Sequence, residues 1–209
     1  MGRIDHVVVG VRDLDAAARM MMERFGLEAQ PGGNHPGAGT ANAIVPVGND
    51  QFLELLAVVD ETSEHPVAVR YRQLVHDGDR LVTFAVAPDD FEETADRLGE
   101  PIFANARHGD DAREVKFRVT GAFGMLGAEA LPFFVITDAG REWRCGWRAA
   151  RHRIEANGIA WIEYVGDPER VASRLADDTL PVRIVAGERA GICALAIATA
   201  SGTPVELRF

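Results

Sequence analysis

Three times along the chain a β-branched run gives way to an acidic residue and then to a stretch with apolar side chains at helical spacing. Ile4 to Val11 ends at Arg12-Asp13, and Asp13 opens a predicted helix, Leu14 to Phe25, with Leu14, Ala17, Ala18, Met21 and Met22 on one face. Gly26 closes that helix and Leu27 to Ala29 is a brief strand. A glycine-rich loop, Gly32 to Asn42, then leads into strands near 40–46 and 51–58, so the first unit reads β-α-β-β-β.

The pattern returns after a polar helix, Glu64 to His76, and a break at Asp77-Gly78-Asp79. Arg80 to Val86 is a strand, Pro88-Asp89-Asp90 opens a helix from Phe91 to Leu98, and strands follow at 115–119 and 131–137. A third start runs from Gly158 to Val165, with Asp167-Pro168 opening a helix to Leu175 and strands near 182–185, 191–199 and 203–208. Each start places an acid at a helix N-cap, where capping and the helix dipole both favour it. These repeats predict an α+β fold of repeated βαβββ units. Residues 1–140 form one domain of two units, about 3–60 and 80–138; 141–157 are a basic linker; 158–209 are a third, partial unit packed on the same domain.

Composition narrows the function. With 209 residues, 47% hydrophobic and 26% charged, the chain suits a soluble globular protein with a full core. A net charge of -10 argues against non-specific nucleic-acid or anionic-membrane binding, since both need a positive field. No apolar run approaches the roughly 18 residues of a membrane span, so a small-molecule partner is expected rather than nucleic acid or membrane. The N-terminus lacks the pattern of a signal peptide, and the two cysteines, Cys145 and Cys193, form no CxxC pair; a cytoplasmic protein with free thiols is expected. The loop glycines are followed by neither Gly-Lys-Ser/Thr nor a helix, which removes a nucleotide-binding reading.

Glu54 is the first residue to explain. It sits among Phe52, Leu53, Leu55 and Leu56, and a carboxylate held in such surroundings is costly unless paired, hydrogen-bonded or bound to metal. Alternation puts His6 on one face of its strand with Ile4 and Val8, and Asp5, Val7 and Val9 on the other. If the strands of His6 and Glu54 share a curved sheet, imidazole and carboxylate converge on one apolar hollow, a donor pair suited to Zn, Fe, Mn or Ni. A core histidine hydrogen-bonded to a glutamate is the alternative. His35, between Asn34 and Pro36, is either a proton shuttle at the rim or a packed turn residue. His108 and His152 are expected in solvent, and His65 and His76 carry no role. Arg141, Arg144, Arg148, Arg151 and Arg153, interleaved with Trp143 and Trp147, are read either as an anion or partner site or as a solvated helix pairing with surface acids.

Ile4-Asp5-His6-Val7-Val8-Val9 with Arg12-Asp13-Leu14, then Gly-Gly-Asn-His-Pro-Gly-Ala-Gly-Thr-Ala-Asn over 32–42 and Phe-Leu-Glu-Leu-Leu-Ala-Val over 52–58, resembles the glyoxalase-like domain family of the vicinal oxygen chelate superfamily. The likeness continues more loosely through Leu81 to Val86 and Leu131 to Phe134 to Asn157-Gly158-Ile159. It implies paired βαβββ units forming curved mixed sheets around a cup, in which one divalent metal ion is held by histidine and glutamate and stabilises an enolate or oxyanion. By this similarity His6 and Glu54 take the ligand positions of the first unit. The second unit places Thr83 and Phe134 or Ile136 there, and the third places Trp161 and Glu206. The implied metal set is His6, Glu54 and Glu206, with Glu206 alternatively a solvent-facing strand residue beside Arg208. The implied catalytic residues are Glu54, His6 and His35, and Asn42, Phe52, Thr83, Phe134 and Trp161 contact ligand. Without metal, His6 and Glu54 act as a base and its orienter. The expected function is a lyase, isomerase or dioxygenase acting on a small oxygenated or carbonyl compound; the alternative is a non-catalytic protein that sequesters a small molecule in the same cup. Three units leave one without an internal partner, and a homodimer is the expectation.

Overall fold

The cup is built on one eight-stranded sheet, with a four-stranded sheet packed on its back. The computed structural model describes residues 2–108, 114–138, 140 and 143–209. The strands of the first sheet are β1 (Arg3–Gly10), β2 (Gln30–His35), β3 (Thr40–Gly48), β4 (Gln51–Val58), β5 (Arg80–Ala87), β6 (Phe103–His108), β7 (Glu114–Thr120) and β8 (Phe133–Thr137); those of the second are β9 (Ala156–Val165), β10 (Val182–Val185), β11 (Gly191–Thr199) and β12 (Val205–Leu207). Their orders are β2-β3-β4-β1-β5-β8-β7-β6 and β10-β9-β11-β12. The helices are α1 (Leu14–Met20), α2 (Pro66–Leu74), α3 (Phe91–Leu98), α4 (Ala122–Leu126) and α5 (Pro168–Leu175). The curl of the large sheet brings its two edge strands, β2 and β6, near each other, giving a half-barrel.

All three acidic N-caps predicted from sequence are made. Asp13, Asp90 and Asp167 each accept a hydrogen bond from the backbone N–H three residues on, at 2.7, 2.9 and 2.9 Å, which satisfies one orphan donor of α1, α3 and α5. α1 runs on as a wider π-turn through Met21–Phe25 and ends at Gly26, whose φ of 69° suits a residue without a Cβ.

In the first two units the chain leaves its opening strand through a helix, forms a three-strand meander, and returns parallel to where it began: β4 beside β1 and β8 beside β5. Antiparallel pairing of β1 with β5 joins the units. The third segment departs from this topology. Its first strand after the helix, β10, pairs parallel with β9, and β11 takes the other side of β9 antiparallel. The matching strand–helix start is therefore real, but after α5 the chain makes an immediate β-α-β return and not a third copy of the meander.

Alternation explains the layering. Val7 and Val9 of β1, Leu53 and Leu55 of β4, and Phe84 and Val86 of β5 face away from the cup and form one continuous core with Ile162, Tyr164, Leu195 and Ile197 of the second sheet. Tyr164 and Phe84 meet edge to face across it, ring centroids 6.3 Å apart. On the concave side a smaller apolar cluster, including Val8, Leu56, Tyr71 and Phe133, closes the cup at the α2 end.

Candidate functional site

A β-bulge sets the site. Ile4 pairs with Val86 and the next pair is His6 with Ala85, so Asp5 is an extra residue in β1. The bulge breaks strict alternation: Ile4 joins Val7 and Val9 in the back core, while Asp5 and His6 both line the cup. The expectation that Ile4 shares a face with His6, and that Asp5 lies opposite, is corrected accordingly. Asp5 Oδ1 lies 2.8 Å from His6 Nδ1.

Beyond the bulge, β1 pairs with β4 so that Phe52 lies beside His6 and Glu54 two residues further along the same face. Phe52 stacks on the imidazole at 4.6 Å and Phe133 meets it edge-on at 5.5 Å. Glu54 Oε2 is 3.6 Å from His6 Nε2. That separation is a charge contact and longer than a good hydrogen bond. Burial alone pulls the imidazole pKa down, but the Asp5 hydrogen bond, the Asp5 charge and the Glu54 charge together outweigh it and the opposing Arg3 charge, and hold His6 above the ordinary histidine value. His6 is thus a buried imidazole flanked by two carboxylates and clamped by two rings.

Asn42, one strand over on β3, fixes the other oxygen of Glu54. Its Nδ2 donates to Glu54 Oε1 at 2.5 Å, and its Oδ1 accepts from the Gly33 N–H at 2.6 Å. The second bond explains two of the loop glycines. Between Pro31 and Asn34 the β2–β3 ladder loses register, and the Asn42 side chain takes the place of the missing backbone partner. A Cβ at Gly32 would stand 2.0 Å from Asn42 Oδ1. The stretch expected as a loop is therefore partly strand, with a glycine bulge shaped around Asn42.

The cavity above these groups has a volume of about 400 Å³ and apolar walls that include Ile44, Phe52, Phe117, Val119, Phe133 and Val135. His35 stands at its rim with Nδ1 3.0 Å from Thr40 Oγ1. A second polar group lies across the mouth. Asn49 and Asp50, both at positive φ, form the two-residue hairpin between β3 and β4. Asp50 then receives Arg3 at 2.8 Å and Arg144 at 2.6 Å on the same carboxylate oxygen.

Arg144 and Cys145 come from the segment expected as a solvated linker helix. Its described residues include a short 3₁₀ piece, Cys145–Trp147, and the segment packs as a strap along the cup. Gly146 lies so close to the hairpin that an added Cβ would be 2.3 Å from the Asp50 carbonyl carbon. Arg148 donates to the Pro31 carbonyl at 2.7 Å. His152 is a staple and not a solvent-facing residue: its Nδ1 accepts from the Glu28 N–H at 2.8 Å and its Nε2 donates to the Pro46 carbonyl at 2.6 Å. Arg141 lies outside the described residues, as does the side chain of His108.

Residues 4–179 match the sequence profile described as a glyoxalase-like domain. This chain belongs to the glyoxalase-like domain family. Among curated proteins, none matches the sequence. Of solved structures, a hypothetical protein from Staphylococcus aureus is 12% identical, with 99% of this chain and 98% of that one covered at a TM-score of 0.68. That likeness shows the fold. Methylmalonyl-CoA epimerase from Streptomyces coelicolor, solved with 2-nitronate-propionyl-CoA, is 20% identical over 66% of this chain and 98% of that one, TM-score 0.48. The Mycobacterium tuberculosis epimerase is 19% identical over 67% and 89%, TM-score 0.48.

Within this glyoxalase-like cup the structure brings together His6, Glu54, His35, Asn42 and Phe52. It does not bring Thr83, Phe134, Trp161 or Glu206 there. Thr83 is fully buried and donates to the Leu131 carbonyl at 3.0 Å. Phe134 faces the back core; its neighbour Phe133 is the cup residue, so the register expected for β8 was off by one. Trp161 and Glu206 lie on the second sheet, Trp161 under Arg183 at 5.2 Å and Glu206 exposed and paired with Arg208.

The pairing also shows what the second unit offers in place of ligands. His6 pairs with Phe52 as Ala85 pairs with Phe133, so the counterparts of His6 and Glu54 are Ala85 and Val135. Both are apolar. Members of the superfamily often use a divalent metal, but here the second unit adds no donor to His6 and Glu54, and among the described residues no cluster of three His, Cys, Asp or Glu side chains is suited to a metal ion. The expected set of His6, Glu54 and Glu206 is not assembled, and the donors present do not fit the family's metal site. No helix among the described residues is long and apolar enough to cross a membrane.

Proposed function

We propose that this protein is a small-molecule enzyme that moves a proton at a carbon next to a carbonyl, with Glu54 as the general base and His6 as its charged partner. The observation that carries this reading is the placement of His6 between two carboxylates inside an apolar cavity, 2.8 Å from Asp5 and 3.6 Å from Glu54. Asp5 favours the protonated form of the imidazole and fixes its orientation, so that Nε2 faces Glu54. Asn42 engages one oxygen of Glu54 and leaves Oε2 to act. A substrate seated against Phe52 and Phe133 gives its α-proton to Glu54 Oε2, the C–H electron pair moves into the carbonyl to form an enolate, and the imidazolium N–H donates a hydrogen bond to the oxygen on which charge develops. Return of the proton to the same or a neighbouring carbon completes an epimerisation or isomerisation, with no net change in oxidation state. The apolar walls keep water from the enolate and strengthen both charges. No step passes through a metal.

The test uses proton exchange. Small ketones and 2-oxo acids are incubated with the protein in D₂O and deuterium at the α-carbon is followed by NMR. Faster exchange with the wild type than with buffer, lost in Glu54→Gln, is the expected result. If compounds that raise the melting temperature of the wild type show no exchange, and bind Glu54→Gln equally well, the cup is a sequestering site and the enzyme reading fails.

A further inference from the structure

The far end of β5 carries a different kind of chemistry. Ala87 and the residues after it line the cup, whereas Arg80 opens the strand seven residues earlier, roughly 23 Å away at the usual rise of an extended chain. Three elements meet there. Gly10 of β1 pairs with Arg80, and Tyr71 and Val75 of the α2 segment pack on Gly10 so closely that an added Cβ would come within 2.9 Å of Val75. Arg70, next to Tyr71, donates through Nη2 to the Gly127 carbonyl at 3.0 Å, and that carbonyl also accepts from Ala130 N–H at 3.2 Å. The Ala130 methyl and Arg80 Nη2 both approach Gly191, within 3.7 and 3.9 Å of where its Cβ would be, and Arg80 Nη2 makes a long 3.4 Å contact to the Ala190 carbonyl. Arg189 is the next residue back along the chain. Arg70, Arg80 and Arg189 therefore gather at one corner.

In a chain with net charge -10, three arginines side by side would ordinarily draw in carboxylates. Here none of the three forms an ion pair with a carboxylate among the described residues. The acids nearby have closer partners: Asp77, which also feels the Arg189 charge, pairs with His76, Asp79 with Arg12 and Glu129 with Arg170. Among the described residues the guanidinium groups of Arg70 and Arg80 bond only to backbone carbonyls, and the buried Arg70 Nε has no hydrogen-bond partner there. Burial, then the Arg189 and Arg70 charges, push the Arg80 pKa down. Each guanidinium has planar donors of the geometry that matches an oxyanion.

We propose that Arg70, Arg80 and Arg189 form a binding site for a small tetrahedral oxyanion, a phosphate or the phosphoryl end of a larger molecule, at the opposite end of the half-barrel from the mouth of the cup. The anion neutralises the cluster and ties α2, β5 and the loop before β11 together.

The experiment titrates the full-length protein with inorganic phosphate by calorimetry at constant ionic strength, with chloride making up the balance. One saturable site in the wild type, weakened at least tenfold in Arg80→Gln and in Arg189→Gln and unchanged in Arg144→Gln at the cup mouth, is the expected result. Arg189 is exposed, so its variant keeps the test valid if Arg80→Gln does not fold. A glycerol phosphate arm separates the two sources: equal binding assigns the phosphoryl end of a larger ligand, weaker binding a free anion. Absence of saturable binding, equal binding by Arg189→Gln, or loss in Arg144→Gln overturns the proposal.

Discussion

Asp5 and His6 are neighbours in sequence and partners in space, their side chains 2.8 Å apart because a bulge turns both toward the cup. The partnership has a pH signature. His6 has a folded-state pKa above its unfolded value, so its contribution to stability is fully present below the unfolded pKa of about 6.5 and is lost as pH rises through the folded value. Asp5→Asn removes the hydrogen bond to a charged group, which is worth about 2 kcal/mol when the histidine is protonated. The expected outcome in denaturant unfolding is a wild-type advantage that is largest near pH 6 and shrinks toward pH 9, together with a lower His6 pKa by NMR in the variant. An advantage that grows with pH would contradict the assignment.

Asn42 holds Glu54 and Gly33 at once. Replacing it with alanine leaves a partly buried carboxylate oxygen and a backbone N–H without partners, and a cost of about 1–3 kcal/mol is expected. Asn42→Asp is the sharper probe, since it sets a second carboxylate against the first. Its destabilisation should be greatest at neutral pH and ease as the solution is acidified and one of the pair takes up a proton. Chemical denaturation at pH 7 and at about pH 5 distinguishes the two variants, because only the aspartate penalty should relax with acid.

The glycines of residues 32–39 are not equivalent. A methyl group at Gly32 would meet Asn42 Oδ1 at 2.0 Å and the Asn42 carbonyl at 2.6 Å, whereas at Gly37 nothing lies within 4 Å. Gly32→Ala should destabilise by several kcal/mol, because backbone must move to relieve the overlap, and it should disturb Glu54 through Asn42. Gly37→Ala should be within about 0.5 kcal/mol of wild type. Parallel melting curves check the contrast, and equal effects would mean that the bulge is not shaped around Asn42.

How much of this was legible depended on the range of the interactions. The N-caps at Asp13, Asp90 and Asp167 are local, and sequence spacing located all three. Glu54 stood out because a carboxylate inside an apolar run needs a partner, and His6 is indeed beside it. Asp5 was hidden by the bulge: period-two alternation assigns it to the wrong face, and nothing local marks the extra residue. Arg144 and Cys145 reach the cup through contacts nearly a hundred residues distant in sequence, for which hydrophobic pattern gives no signal. The third unit shows the same limit. Its strand, cap and helix copy the local pattern of the others, but whether the next strand pairs with β9 at once or after a meander is a matter of tertiary packing.

Glu206 separates pattern from placement. It repeats the local motif of Glu54 yet lies exposed on β12, bonded to Arg208. An exposed ion pair contributes little, and Glu206→Gln should change stability by no more than about 0.5 kcal/mol. It should also leave the NMR titration of His6 unchanged, while Glu54→Gln lowers the His6 pKa by removing a favourable charge. A shift of His6 in Glu206→Gln would place Glu206 at the cup after all.

Tyr71 offers a test of the cup's closed end. Its ring is buried against Val8 and Leu56, and its buried hydroxyl has no hydrogen-bond partner among the described residues. Burial first, and the Glu54 charge second, push the phenol pKa far above its ordinary value, so the group stays neutral throughout the working pH range. A buried donor without an acceptor costs about 1–3 kcal/mol, whereas the ring itself stabilises by filling the space between α2 and the sheet. Removing the oxygen alone should therefore help: Tyr71→Phe is expected to raise stability by about 1 kcal/mol, and Tyr71→Ala to lower it by about 3–5 kcal/mol by opening a cavity. Urea unfolding at neutral pH decides it. If Tyr71→Phe is instead destabilised, the hydroxyl has a polar partner beneath Glu54, and the cup floor reaches deeper than its apolar lining indicates.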